Sequence, residues 1–157
     1  MQARMKKYPL TQEQSAALLL RESVGRLGTI GEGGYPYIVP VHYVYLDGCI
    51  YVHGLMAGMK VDNIRRDPRV SFEVDSLLSL VHADLPCDTN TGYESVIIRG
   101  KAAFVEDTEK KTAVLDAIVM KYTPRHAGKA FPETVLRKTA VIGISVDLLT
   151  GKYYPTA

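Results

Sequence analysis

The dipeptide Asp47-Gly48 limits the fold more than any other feature of the chain. It separates two runs rich in Tyr, Val and Ile, Tyr35 to Tyr45 and Cys49 to His53, residues that favour strands. Asp-Gly accepts the positive φ angles that a two-residue hairpin demands, so the centre of the chain reads as antiparallel sheet. Gly28-Thr29-Ile30 predicts a short strand before it, with Gly31 to Gly34 as a turn. Arg69 to Val74 alternates, with Val70, Phe72 and Val74 on one face. Tyr93 to Val105 predicts a long strand kinked at Gly100. Ala140 to Val146 predicts the last strand, with Leu149-Thr150-Gly151-Lys152 as a terminal turn.

Helices frame these strands. Thr11 with Gln14 has the capping-box form and opens a predicted helix over Gln12 to Val24, stopped by Gly25. Met59 to Arg66 and Pro132 to Lys138 predict short helices. Asp107 to Tyr122 predicts an amphipathic one that turns Val114, Leu115, Ile118, Val119 and Tyr122 inward. Ser76 to Gly92 has no readable period. The strands are not regularly separated by helices, which excludes a parallel doubly wound sheet. A mainly β (α+β) antiparallel barrel with peripheral helices, one domain over residues 1–157, is the expectation.

Composition restricts function. A net charge of +2 gives no electrostatic case for nucleic acid or an acidic membrane. Cys49 and Cys87 lack the spacing of a metal site or redox pair, and His42, His53, His82 and His126 lack zinc-site spacing, so no metal is expected. The basic start Met1 to Lys7 leads into a polar helix cap rather than an apolar segment. No apolar run is long enough to span a bilayer, so a cytoplasmic protein is expected.

The stretch Val52-His53-Gly54-Leu55-Met56-Ala57-Gly58-Met59-Lys60 leaves a strand and enters a helix. Glycines there let a ligand approach the backbone. A helix N-terminus presents unpaired N–H groups and positive potential. Lys60 adds a full charge. The spacing Gly54-x-x-x-Gly58-x-Lys60-Val61 departs from the nucleoside-triphosphate loop, so a single terminal phosphate is the better fit. Pro40, inside Val39-Pro40-Val41-His42, donates no ladder hydrogen bond and marks an edge or bulge. His53, just before the loop, is a candidate ligand contact.

The ordered segments Val24 to Thr29, Gly34 to Val41, Asp47 to Gly54, Gly58 to Lys60, Asp67 to Phe72 and Tyr93 to Gly100 together resemble the pyridoxamine 5′-phosphate oxidase-like FMN-binding split barrels. Among them the chain is most similar to the 5-nitroimidazole-resistance (Nim) type flavoproteins. The resemblance implies a Greek-key split barrel that binds FMN at a homodimer interface. It implies Val39, Pro40, Val41, His42 and Tyr43 beside the isoalloxazine edge. Val52, His53 and Gly54 would lie along the ribityl and phosphate path, Gly58 and Lys60 at the phosphate, and Ser95 near the ring. Gly58-Met59 stands where the oxidases themselves carry Ser-Arg before the lysine. Their arginine-containing C-terminal motif is absent too, so oxidation of pyridoxamine phosphate is not expected. The implied function is an FMN oxidoreductase acting on small electron-poor substrates such as nitro compounds, with His53, ahead of His42, as proton donor. The alternatives are a non-catalytic flavin store or redox sensor and, more remotely, haem degradation.

Overall fold

A computed structural model describes residues 7–155. Helix α1 spans Gln12–Arg21, and strands β1 to β4 span Gly25–Ile30, Pro36–Val41, Tyr43–Leu46 and Cys49–Leu55. Helix α2 spans Met59–Arg66, β5 Arg69–Val81 and β6 Asn90–Phe104. Helices α3 (Thr108–Tyr122) and α4 (Glu133–Lys138) precede β7, Thr139–Tyr154. All seven strands join one antiparallel sheet in the order β2-β1-β5-β6-β7-β4-β3. The two edge strands, β2 and β3, are therefore consecutive in the chain. The sheet curls until its edges face each other, and only His42 connects them. This is a split β-barrel.

Residues from both strands and helix fill the barrel. Leu18 and Leu19 of α1 are fully buried among Leu27, Tyr43, Ile50, Val52, Phe72, Ile98 and Ile142. A second core forms outside, where Val114, Leu115 and Ile118 of α3 cover Val44, Tyr51 and Val141. The α1 capping box is present in full, with Thr11 Oγ1 accepting from the Gln14 amide and Gln14 returning a bond to the Thr11 amide. Asp107 caps α3 by accepting from the Lys110 amide at 2.7 Å.

Four expectations are corrected. Helix α1 ends at Arg21, not Val24, and Gly25 opens β1 instead of stopping the helix. A Cβ at Gly25 would meet the Phe72 ring at 2.1 Å, so this glycine permits close sheet packing. The Tyr35–Tyr45 run is two strands, broken at His42. Ser76–Gly92 is not irregular: β5 and β6 run on into a projecting hairpin, with a bulge between Leu77 and Ser79. The segment Leu149 to Lys152 is strand, paired with Ser95 to Ile98, rather than a turn. The kink at Gly100 is present as a register shift between Arg99 and Gly100, opposite an extra residue in β7. The basic start from Met1 to Lys6 lies outside the described residues. Among the described residues no helix is long and apolar enough to cross a membrane.

At Gly100 a Cβ would stand 1.9 Å from the carbonyl oxygen of Ser145, an atom that cannot move without the β7 ladder. Gly100→Ala is expected to lower stability by about 2–3 kcal/mol, seen as a lower urea midpoint at unchanged slope; an unchanged midpoint would contradict the packing described.

Candidate functional site

The hairpin register builds the site. Asp47 and Gly48 both take positive φ, 51° and 75°, so the turn is the two-residue primed type. It pairs Leu46 with Cys49 and, three steps on, Tyr43 with Val52. His42 and His53 adjoin that last pair, close enough for the charge of His42 to act on His53. Beyond His53 the strand reaches Leu55, and Gly58, with φ 123°, starts α2. That angle suits only glycine. The first intrahelical bonds are from the Val61 and Asp62 amides to the Gly58 carbonyl, at 2.8 and 3.0 Å. The amides of Met59 and Lys60 point off the helix end, as the first turn of any helix requires.

Lys60 returns over the strand. Its Nζ stands 3.0 Å from where a Cβ on Gly54 would be, so the missing side chain makes room for the amine. His53 is half-buried, and its Nδ1 is sealed from solvent without a hydrogen-bond partner. Burial first, then the positive fields of His42 and Lys60, hold its imidazole below the ordinary value and so neutral. A buried nitrogen without a partner is costly, so this imidazole is held at an energetic penalty.

Helix α2 is fixed to the other edge. Asn63, fully buried, donates Nδ2–H to Thr29 Oγ1 at 2.9 Å, and Thr29 donates to the Tyr37 carbonyl at 3.4 Å. Arg65 ties the loop by donating to the Met56 carbonyl at 3.3 Å. Hydrogen bonds thus link the loop to α2, and α2 through Thr29 to β2.

Of the expected site residues, His42, His53, Gly54, Gly58 and Lys60 come together at the split. Val39, Pro40 and Val41 lie on β2, an edge strand, leading to it. Val52 is fully buried and offers only main chain. Tyr43 points into the core, donating its hydroxyl to the Leu19 carbonyl at 2.7 Å. Its own N–H and C=O are both 2.8 Å from the Tyr122 hydroxyl, so its main chain is engaged. Ser95 pairs with Asp75 and Lys152, roughly 30 Å along β6 from the Phe104 end that lies near His53. One chain does not bring Ser95 to the cluster. Sequence reasoning missed Tyr122, whose ring stacks on His42 at 4.4 Å and 25°, and Asn63. Tyr122 was legible only as an inward helix position. A separate groove of about 630 Å³ on the outer face, lined by Gly28, Ile38, Ser71, Arg99 and Leu148 among others, shares no residue with the cluster.

An antiparallel sheet open between β2 and β3, with a lysine-bearing loop at the opening, defines a split barrel of the pyridoxamine 5′-phosphate oxidase-like class. A profile of the pyridoxamine 5′-phosphate oxidase family matches residues 11–153, and the chain belongs to that family. It is 33% identical over 98 residues to the 5a,11a-dehydrotetracycline/5a,11a-dehydrooxytetracycline reductase of Streptomyces rimosus, 60% of this chain and 63% of that protein. The chain therefore spans less than two thirds of that relative. A candidate 5-nitroimidazole antibiotic resistance protein from Bacteroides thetaiotaomicron superposes with a TM-score of 0.83 at 27% identity, covering 92% of this chain and 86% of that one. A flavocytochrome from Azotobacter vinelandii shares the fold, with a TM-score of 0.86 at 21% identity over 99% of this chain and 73% of that one.

The lysine's field gives a direct check. Lys60→Met is expected to raise the midpoint at which the His53 Cε1 proton titrates by NMR, because one of the charges opposing protonation is gone. A midpoint unchanged by the substitution would show that the amine does not face the imidazole.

Proposed function

We propose that the protein is an FMN-dependent oxidoreductase that reduces small electron-poor molecules, nitro compounds among them, and that it works as a homodimer. The observation that carries this reading is the Lys60 amine seated over Gly54 beside the α2 N-terminus, next to the unpartnered Nδ1 of His53. These groups fit a phosphate monoester, and the family, together with the flavin proteins among its structural relatives, makes flavin the class of nucleotide.

Bound there, the flavin would supply the electron chemistry, which accords with a sequence that shows no acid/base pair. The chain's own residues do the rest. Lys60 and the Met59 and Lys60 amides balance the phosphate charge. The free edge of β2 offers main-chain groups to the ring. Pro40 has no N–H there to compete for an acceptor. His53, neutral before reaction, accepts a proton from solvent through its exposed side and releases it to a reduced substrate near neutral pH.

The dimer reading rests on exposed apolar surface. Ile38 is 66% exposed and borders the outer groove with Leu148; Leu77, Leu80 and Leu85 are exposed on the projecting hairpin. Apolar surface of this kind marks an interface, and a second copy would bring its own Ser95 toward the flavin.

FMN added to the purified protein is expected to give a bound-flavin absorption spectrum. Lys60→Ala should weaken FMN about 30-fold, the loss of one charged contact worth about 2 kcal/mol. His53→Ala is expected to keep most of the FMN and to lose nitro-substrate turnover with a reduced nicotinamide donor. Unchanged turnover in that variant would remove His53 from the chemistry.

A further inference from the structure

His42 is the single residue between the two edge strands, held by the Gly25–Val41 pair on one side and the Tyr43–Val52 pair on the other. Its ring is held as well. From α3, the Tyr122 ring stacks on the imidazole with centroids 4.4 Å apart and planes 25° from parallel. Tyr122 is itself anchored. Its hydroxyl accepts the Tyr43 N–H at 2.8 Å and stands 2.8 Å from the Tyr43 carbonyl and 2.9 Å from that of Ser23. Three main-chain groups thus fix the plane on which the imidazole rests. A ring stacked only to fill space would be covered on both faces. His42 is exposed instead, so the face turned from Tyr122 is open at the split.

The loop beyond His53 adds an apolar surround. His42 lies close enough to His53 for its charge to act there, which sets this loop beside the stack. Leu55, Met56 and Met59, three large apolar side chains of the loop and the helix start, are all exposed. Exposed apolar groups gathered this closely mark a contact surface, and thioethers pack well against aromatic rings. The open imidazole face and these three side chains together suit a flat, largely apolar ligand.

The face of an aromatic ring carries negative potential and favours a partner ring whose own face is electron-poor. We propose that the His42–Tyr122 stack is the platform for the electron acceptor: a planar, electron-poor ring such as a nitroarene lies on the open face of His42, and Tyr122 is the positioning residue that holds the imidazole plane. The stack then selects arenes over aliphatic nitro compounds of the same size. That the bound ring is reduced rests on the function proposed above; the stacking itself does not.

The uncharged pair para-nitrobenzamide and nitrocyclohexane, close in size, makes the comparison, with and without FMN. In an NMR titration para-nitrobenzamide is expected to move the His42 Cε1 proton upfield to saturation, since a stacked arene shields it, while nitrocyclohexane leaves it in place. With FMN and a reduced nicotinamide, KM for the arene is expected to be about tenfold below that for nitrocyclohexane. His42→Leu should remove most of that difference while circular dichroism stays unchanged, and His42→Phe, which restores a flat ring, should recover it. Tyr122→Leu should raise KM for the arene alone, and Tyr122→Phe, which keeps the stacked ring, should recover most of the preference; a role in folding alone would weaken both substrates alike. A KM ratio unchanged in His42→Leu overturns the inference and leaves the flavin function standing. The upfield shift in a protein that binds no FMN supports the inference and ends the flavin reading. No upfield shift, with FMN or without it, overturns the inference.

Discussion

The two-residue turn at Asp47–Gly48 and the strand break at His42, five residues earlier, organise this molecule together. The turn fixes the β3–β4 register, and a slip of one residue would carry Tyr43 and Val52 out of the core and turn every side chain of β3 over. The break lets the chain pass from one edge of the sheet to the other. Because β2 and β3 are both edges and also sequence neighbours, the barrel closes through a single residue instead of a hydrogen-bonded ladder. The opening that results is where the basic cluster sits. Fold and candidate site therefore share one cause.

The split would be a weak point without reinforcement. Two side chains supply it. Tyr122 brings α3 against the His42 break, using one hydroxyl for three main-chain contacts. Asn63 brings α2 against β1 and, through Thr29, against the Tyr37 carbonyl of β2. Buried polar groups of this kind are costly unless satisfied and specifying when they are. Here they set the distance between the free edge of β2 and the start of α2, the two features between which a nucleotide would lie.

Local chemistry made much of this legible from the sequence. The Asp-Gly turn, the Thr11 capping box, α2 and α3 depend on short-range patterns and stand where those patterns place them. The errors arose where distant contacts decide. Gly25 reads as a helix stop but exists to admit the Phe72 ring, and Gly151 reads as a turn but lies under Leu10 and Ser15 of the N-terminal segment. Leu77, Leu78 and Leu80 break the period-two pattern of β5 because this arm has no core beneath it. Lys60, His53 and Gly58 were legible as a phosphate-sized loop. The nearness of His42 to His53 needed the hairpin register, and Tyr122 needed the packing of α3, which sequence periodicity places only as inward. Ser95 came from resemblance alone, and the single chain keeps it at the far end of β6.

The central claim is that the split receives the phosphate end of a flavin mononucleotide. Comparing the affinities of FMN and riboflavin for the unaltered protein tests it most directly, since the two ligands differ only in the phosphate. The account predicts that FMN binds at least tenfold more tightly, the order expected for one charge-assisted contact, and that added salt narrows the gap. Equal affinities for the two would contradict it, because the Lys60 loop would then make no contact with the phosphate.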